Sequence, residues 1–252
     1  MTLKDKKVVV TGGSRGLGLG LVEALVSQGA KVTVVARRAE SLDAVSARLG
    51  VATISADVTD KAAAHHILGE VRPDILALNA GATPRMGRLD QLNWEDFSVA
   101  WETDVKAGLY WLQAALNLPL KPESRVLVGS SGAVLDGSPM SGGYAGAKRM
   151  LWLMAKYANA ISQQRHLGIR FQVIVPRQMV LGTGTGDAGA SSYARAAGIT
   201  PEAFVELFGA PMPPRDFGEK IVSVLDDPKY AEGFAFGLKG EAGVTILEGA
   251  GA

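Results

Sequence analysis

The chain has 252 residues, nearly half of them apolar (47%), and a formal net charge of +1. That balance gives no electrostatic case for DNA or RNA, which a clustered basic excess would serve. Cysteine is absent, which excludes disulfides and thiolate chemistry and is compatible with the cytoplasm. The opening MTLKDKKVVV lacks the apolar core and cleavage site of a signal peptide. No apolar stretch approaches the ~18 residues that span a bilayer, so no membrane association is expected.

Apolar runs bounded by glycine or polar residues recur at 7–11 (KVVVT), 31–36 (KVTVVA), 51–56 (VATISA), 74–80 (DILALNA), 125–130 (RVLVGS) and 169–175 (IRFQVIV), and GVTILEGAGA closes the chain as a final strand with a tail. Continuous Val/Ile/Leu runs suit strands buried on both faces of a parallel sheet. Helical patterns lie between them, near 17–28, 39–49, 60–71, 92–117, 143–167, 201–209 and 215–226. The alternation predicts one α/β domain over residues 1–252, a doubly wound parallel sheet of about seven strands with helices on both faces. Ligands of such a sheet gather at the carboxyl ends of its strands.

The first strand runs into T-G-x-x-x-G-x-G, with Gly12, Gly16 and Gly18, and then into a helix. Missing side chains there let backbone approach a pyrophosphate at a helix N-terminus. Far downstream, Tyr144 and Lys148 stand four residues apart, so a phenol and an ammonium share one helix face. Ser131 precedes Tyr144 by thirteen positions, at the end of an apolar run. A phenol, a cation and a hydroxyl brought together suit proton transfer to a carbonyl oxygen. A free phenol keeps its proton to about pH 10, so neighbouring positive charge must favour the phenolate for work near neutrality.

Thr11 to Gly18, Asp57 after the third strand, Asn79-Ala80-Gly81 after the fourth, Ser131 after the fifth and Tyr144-x-x-x-Lys148 occur in one order across roughly the first 180 residues. In these segments the chain resembles the short-chain dehydrogenase/reductase family, in its shorter single-domain branch, with a Rossmann-type fold. The resemblance implies that Tyr144 carries the proton, Ser131 holds the carbonyl oxygen and Lys148 binds the nicotinamide ribose and favours the phenolate. It further implies a cofactor site from Gly12, Ser14, Arg15, Gly16, Leu17, Gly18, Arg37, Arg38, Asp57, Val58, Asn79, Ala80, Gly81, Tyr144, Lys148 and Pro176. Asp57 meets the adenine amino group in the family, and Asn79 steadies the strand end and glycine turn. Asp57, Thr59 and Asp60 are also candidate caps for the next helix, with Asp60 preferred.

An acidic residue past the second strand would bind a ribose 2′-hydroxyl. Here Ala36 is followed by Arg37 and Arg38, which suit a 2′-phosphate, with help from Arg15. NADP(H) is therefore expected over NAD(H). Two positions depart from the family. Asp104 replaces an Asn that supports a water chain to the lysine, and an ionised Asp near Lys148 would oppose phenolate formation while holding the lysine protonated. Arg177 follows Pro176 where Pro-Gly is common, and a large cation there would reshape the pocket, attract an anionic substrate group or face solvent.

Residues 177–213 are rich in Gly, Ser and Thr at their start and are expected to form a mobile lid over the substrate. Met140, Met179, Tyr193 and Phe204 suggest a fairly apolar pocket. His65, His66 and His166 lack partners at metal spacing, so no metal is expected. Trp94, Phe97, Trp101, Val105 and Leu109 form a stripe suited to the sheet or a neighbouring subunit. The sequence thus points to an NADP-dependent alcohol dehydrogenase or carbonyl reductase acting on a small carbonyl or alcohol substrate. By the resemblance a homotetramer or homodimer is expected, and the lack of cysteine fits a cytoplasmic location. The alternative is a catalytically silent NADPH-binding sensor.

Overall fold

The computed structural model describes residues 2–209 and 212–249. Its strands are β1 (Lys7–Thr11), β2 (Lys31–Ala36), β3 (Ala52–Ser55), β4 (Ile75–Leu78), β5 (Arg125–Gly129), β6 (Arg170–Pro176), β7 (Gly233–Lys239) and β8 (Gly243–Gly249). They form one sheet in the order β3-β2-β1-β4-β5-β6-β7-β8. All neighbours are parallel except β8, which returns antiparallel along β7. The order reverses between β1 and β4, so the crevice for ligands opens above their carboxyl ends.

Alternate residues of the central strands feed two cores. Val9, Leu76, Val126 and Val173 meet Trp111 and Leu151 on one face. Val8, Val10, Ile75, Leu127 and Ile174 meet Leu21, Leu25, Ile221 and Leu225 on the other. The first face is covered by α3 (Lys61–Val71), α5 (Lys106–Asn117) and α7 (Tyr144–Gln164), the second by α1 (Gly16–Ser27), α2 (Ala39–Leu49) and α10 (Pro214–Asp226). Helices α1 and α10 cross in close contact, because a Cβ on Gly20 would collide with the Pro214 carbonyl and one on Gly218 with the Gly20 carbonyl.

The structure differs from the sequence reading in three places. The sheet has eight strands, not about seven: GFAFGLK forms β7, a run whose two glycines weaken a strand signature yet which is buried from Gly233 to Leu238. The helix expected over 92–117 is broken into α4 (Trp94–Ala100), a π-helical turn (Trp101–Val105) and α5. Third, the Gly/Ser-rich part of 177–213 is not an open loop. It carries α8 (Gly184–Ala197), followed by α9 (Pro201–Glu206). Thr183 caps α8 by accepting from the Gly186 amide at 3.1 Å, and Gly198 ends it at φ 70°. The glycines at 184, 186 and 189 weaken the helical signal of its first half, but small residues allow close packing: a Cβ on Gly186 would collide with the Val180 carbonyl, and Gly189, Ala190 and Ala194 are buried.

Candidate active site

The glycine turn is tied to the sheet through Thr11, whose Oγ1 donates to Ala77 O at 3.3 Å and accepts from the amides of Asn79 (3.1 Å) and Ala80 (3.2 Å). Gly12 and Gly16 adopt φ of 67° and 54°, where an L side chain is strained. Gly18 has no room for a Cβ, which would strike Gly12 O and Asn79 Nδ2. Asn79 Nδ2 reaches Gly12 O at 3.5 Å. Ser14, Arg15 and Leu17 complete the rim of the cleft at the start of α1.

Arg37 and Arg38 follow β2, exposed at the same rim as Arg15. Among the described residues, no carboxylate lies within ion-pair distance of any of the three. Asp57 Oδ1 accepts from Thr59 N and Thr59 Oγ1, both at 2.8 Å. Those bonds hold its carboxyl below the usual carboxylate range. Asp60 caps α3, accepting from Ala62 N at 2.8 Å. Val58 is buried beside them, and its carbonyl accepts from Trp111 Nε1 at 3.0 Å.

Ser131 stands just past β5, its Oγ accepting at 3.3 Å from the amide of Ala133, the first residue of the short helix α6 (Ala133–Asp136). Tyr144 is the first residue of α7. Lys148 lies one turn further, with Nζ 5.7 Å from the Tyr144 ring centroid and 3.4 Å from Gly129 O. The π-helical turn aims Asp104 at this lysine. Asp104 Oδ2 lies 2.9 Å from Lys148 Nζ, and Oδ1 accepts from Ala82 N at 2.7 Å. Oδ2 has no aligned hydrogen bond among the described residues, so charge attraction to Lys148 is what holds it.

Both partners are buried, Asp104 at 2% and Lys148 at 7% exposure. Burial works against the Lys148 charge, but the Asp104 carboxylate and then the Tyr144 phenol outweigh it, so the ammonium titrates above its ordinary range. Gly81 makes room for the pair, since a Cβ there would sit 2.9 Å from Asp104 Oδ2. Pro176 O accepts from Gly132 N at 2.8 Å, which joins the end of β6 to the Ser131 turn. Arg177 is exposed, and its Cδ lies 2.7 Å from where a Cβ on Gly237 would stand. Its stem thus runs across β7.

One cleft of about 990 Å³ is lined by the glycine turn, the arginine rim, Asp57, Asn79, Ala80, Gly81, Ser131, Tyr144, Lys148 and Pro176. Its other wall comes from Met179, Tyr193, Phe204 and Phe208. Three participants escaped the sequence reading. Phe208 is one turn beyond Phe204, Ser138 binds the Tyr193 hydroxyl at 2.9 Å, and Thr183 puts its Cγ2 3.2 Å from where a Gly16 Cβ would be. Only the four-residue step from Phe204 to Phe208 left a trace in the sequence.

A parallel sheet with a glycine turn at its reversal, and a Tyr and Lys one helical turn apart in the adjoining cleft, defines a dinucleotide-dependent class of fold and site. The family model described as short chain dehydrogenase matches residues 6–186. The chain belongs to this family and is an oxidoreductase of it. It is 30% identical over 187 residues to oxidoreductase asL5 of Sarocladium schorii, covering 69% of this chain and 72% of that one. It is 28% identical over 169 residues to an NADPH-dependent pterin aldehyde reductase of Arabidopsis thaliana, covering 63% and 69% respectively. A crystal structure of a short chain dehydrogenase from Burkholderia cenocepacia J2315, in complex with NADP, superposes with a TM-score of 0.75 at 26% identity over 100% of both chains. Among the described residues no helix is long and apolar enough to cross a membrane.

Proposed function

We propose that the chain is an NADP(H)-dependent reductase or dehydrogenase that interconverts a ketone or aldehyde and an alcohol. The observation that carries this reading is Tyr144 at the open end of α7 with Lys148 one turn behind it, in the cleft that also holds the glycine turn. The fit to a dinucleotide rests on the same cleft. Gly12 and Gly16 leave backbone bare at the start of α1, and Arg15, Arg37 and Arg38, which have no carboxylate partner among the described residues, suit a 2′-phosphate at the rim of the cleft. When bound, NADPH supplies a hydride to the carbonyl carbon.

The residues of the chain do the rest. Ser131 Oγ orients the carbonyl oxygen and donates a hydrogen bond that strengthens as negative charge develops. Tyr144 gives its phenolic proton to that oxygen in reduction and takes it back in oxidation. Lys148 supplies a positive charge beside the phenol, and Asp104 positions the lysine. The segment 177–213, of which residues 210 and 211 lie outside the described residues, serves as the lid over a fairly apolar substrate. The chain acts in the cytoplasm as a homodimer or homotetramer, with α4, α5 and α7 at the contact.

NADPH oxidation against a panel of ketones, aldehydes and diketones, with the reverse reaction on secondary alcohols, tests the reading. Turnover of a carbonyl supports it. Tight NADPH binding with no turnover of any carbonyl contradicts it and favours the silent sensor, which the capture of Lys148 by Asp104 keeps in view.

A further inference from the structure

Helix α8 sends Tyr193 across the cleft to the segment that leads into α7. Its hydroxyl meets Ser138 Oγ at 2.9 Å and accepts from Met140 N at 3.2 Å. Ser138 O in turn accepts from Ser141 N and Oγ, both at 3.0 Å, and Ser141 O accepts from Tyr144 N at 3.1 Å. A short relay of hydrogen bonds therefore fixes the Tyr193 ring relative to the backbone of Tyr144. The ring of Phe204 stacks on that of Tyr193, with centroids 5.5 Å apart and planes 5° from parallel. Phe208 closes the outer side edge-on to Phe204, at 5.4 Å and 64°.

All three rings line the cleft that holds Ser131 and Tyr144, and none is fully buried. Most aromatic side chains in a lid would be free to turn. Tyr193 is not, because two hydrogen bonds hold its tip and a stacked ring holds its face. A fixed aromatic surface rewards a flat π-system more than an aliphatic body of the same size, since offset stacking and edge contacts add to area burial.

We infer that this wall is a recognition site for an aryl group, and that the substrates are carbonyl compounds or alcohols bearing an aromatic ring within reach of the reacting carbon. The inference deepens the proposed function and rests on it for the reacting carbonyl, but not for the binding of the ring. Tyr193 and Phe204 set the preference through their rings, and the Tyr193 hydroxyl acts as a positioning group.

Acetophenone and cyclohexyl methyl ketone are matched probes, differing in aromaticity at nearly constant size. Binding is read by saturation-transfer NMR titration and turnover by kcat/KM with NADPH. The parent should bind acetophenone roughly three- to tenfold more tightly, as the added energy of an aromatic pair allows. Tyr193→Leu and Phe204→Leu should each lose that ratio in binding. Tyr193→Phe, keeping the ring, should retain the ratio while raising KM for both ketones. Equal binding of the two probes by the parent would overturn the inference, as would a preference that survives both leucine variants. Aryl-selective binding without turnover of either probe supports the aromatic wall and contradicts the reductase reading. Turnover of both probes without aryl selectivity does the reverse.

Discussion

Asp104 and Lys148 form a buried ion pair, Oδ2 to Nζ at 2.9 Å, directly behind Tyr144. The carboxylate is anchored by the Ala82 amide and fits because residue 81 is a glycine. A lone ammonium beside a phenol would favour the phenolate strongly, whereas an ammonium already paired with a carboxylate presents a much smaller net field. The pair therefore tempers the positive charge that Tyr144 meets.

Asp104→Asn removes one negative charge from this cluster. The first proton of the cluster then leaves more readily, whichever group yields it. The limb of the alcohol-oxidation pH profile governed by the cluster is expected to move toward acid, and a limb that stays put or moves toward alkali refutes the electrostatic role. Stability should change as well. Lys148 has its pKa raised above 10.5 in the folded protein, so its contribution is fully present below that ordinary value and is lost as the pH rises through the raised one. Breaking the pair leaves a buried charge without its partner, worth about 3 kcal/mol. Chemical denaturation at neutral pH should show that loss, and the gap between the two proteins should narrow in strongly alkaline solution.

Arg37 and Arg38, with help from Arg15, are expected to set a preference for NADPH over NADH. Replacing the main phosphate contact by Ala should weaken NADPH binding by about 1.5–3 kcal/mol per charged hydrogen bond lost, with little change for NADH. Fluorescence titration with both cofactors measures this directly. Equal losses for the two would assign the arginines to the fold.

Gly18→Ala places a methyl group against Gly12 O and Asn79 Nδ2. Overpacking of this kind costs about 1–3 kcal/mol, and here it falls on the turn proposed to hold the cofactor. NADPH affinity should drop by at least tenfold. Gly137→Ala is no control, since its φ of 82° strains any side chain, whereas Gly69→Ala meets only Leu118 at 3.8 Å and should leave both stability and binding nearly intact.

Much of this architecture was legible because chemistry and spacing coincide. Five of the six parallel strands before residue 177 are buried apolar runs, and burial on both sheet faces demands that pattern, whereas the edge strand β3, ATIS, has no fully buried residue. The glycine turn and the Tyr144–Lys148 step were readable because backbone approach and a shared helix face leave few alternatives. Strand β7 escaped because Gly233 and Gly237 dilute its signature, and Gly237 is needed where the Arg177 stem crosses. Helix α8 escaped because close packing against Val180 and Met179 selects Gly186 and Gly189 in its first half, and glycine is a poor helix former. The π-helical turn that brings Asp104 onto Lys148 has no signature in WETDV; it became visible only with the backbone.

Trp101 and Leu109 are 39% and 43% exposed, and Trp94 reaches 68%. Such a stripe along α4 and α5 is a poor surface to leave in water. Trp101 is also tied to the start of α7, its Nε1 donating to Gly143 O at 3.0 Å. A dimer or tetramer is expected at micromolar concentration, and Leu109→Glu should dissociate it in light scattering. A monomeric parent would rule out this use of the stripe.

The central claim is that Tyr144 moves the proton while the glycine turn and arginine rim hold the cofactor. Tyr144→Phe separates the two, because it deletes one hydroxyl and leaves the turn untouched. NADPH binding and ketone reduction, measured on the same preparation of this variant and the parent, test it most directly. The account predicts NADPH affinity within a few-fold of the parent and a fall in turnover of at least ~10²-fold, the scale of lost general acid catalysis. Turnover within a few-fold of the parent would contradict it.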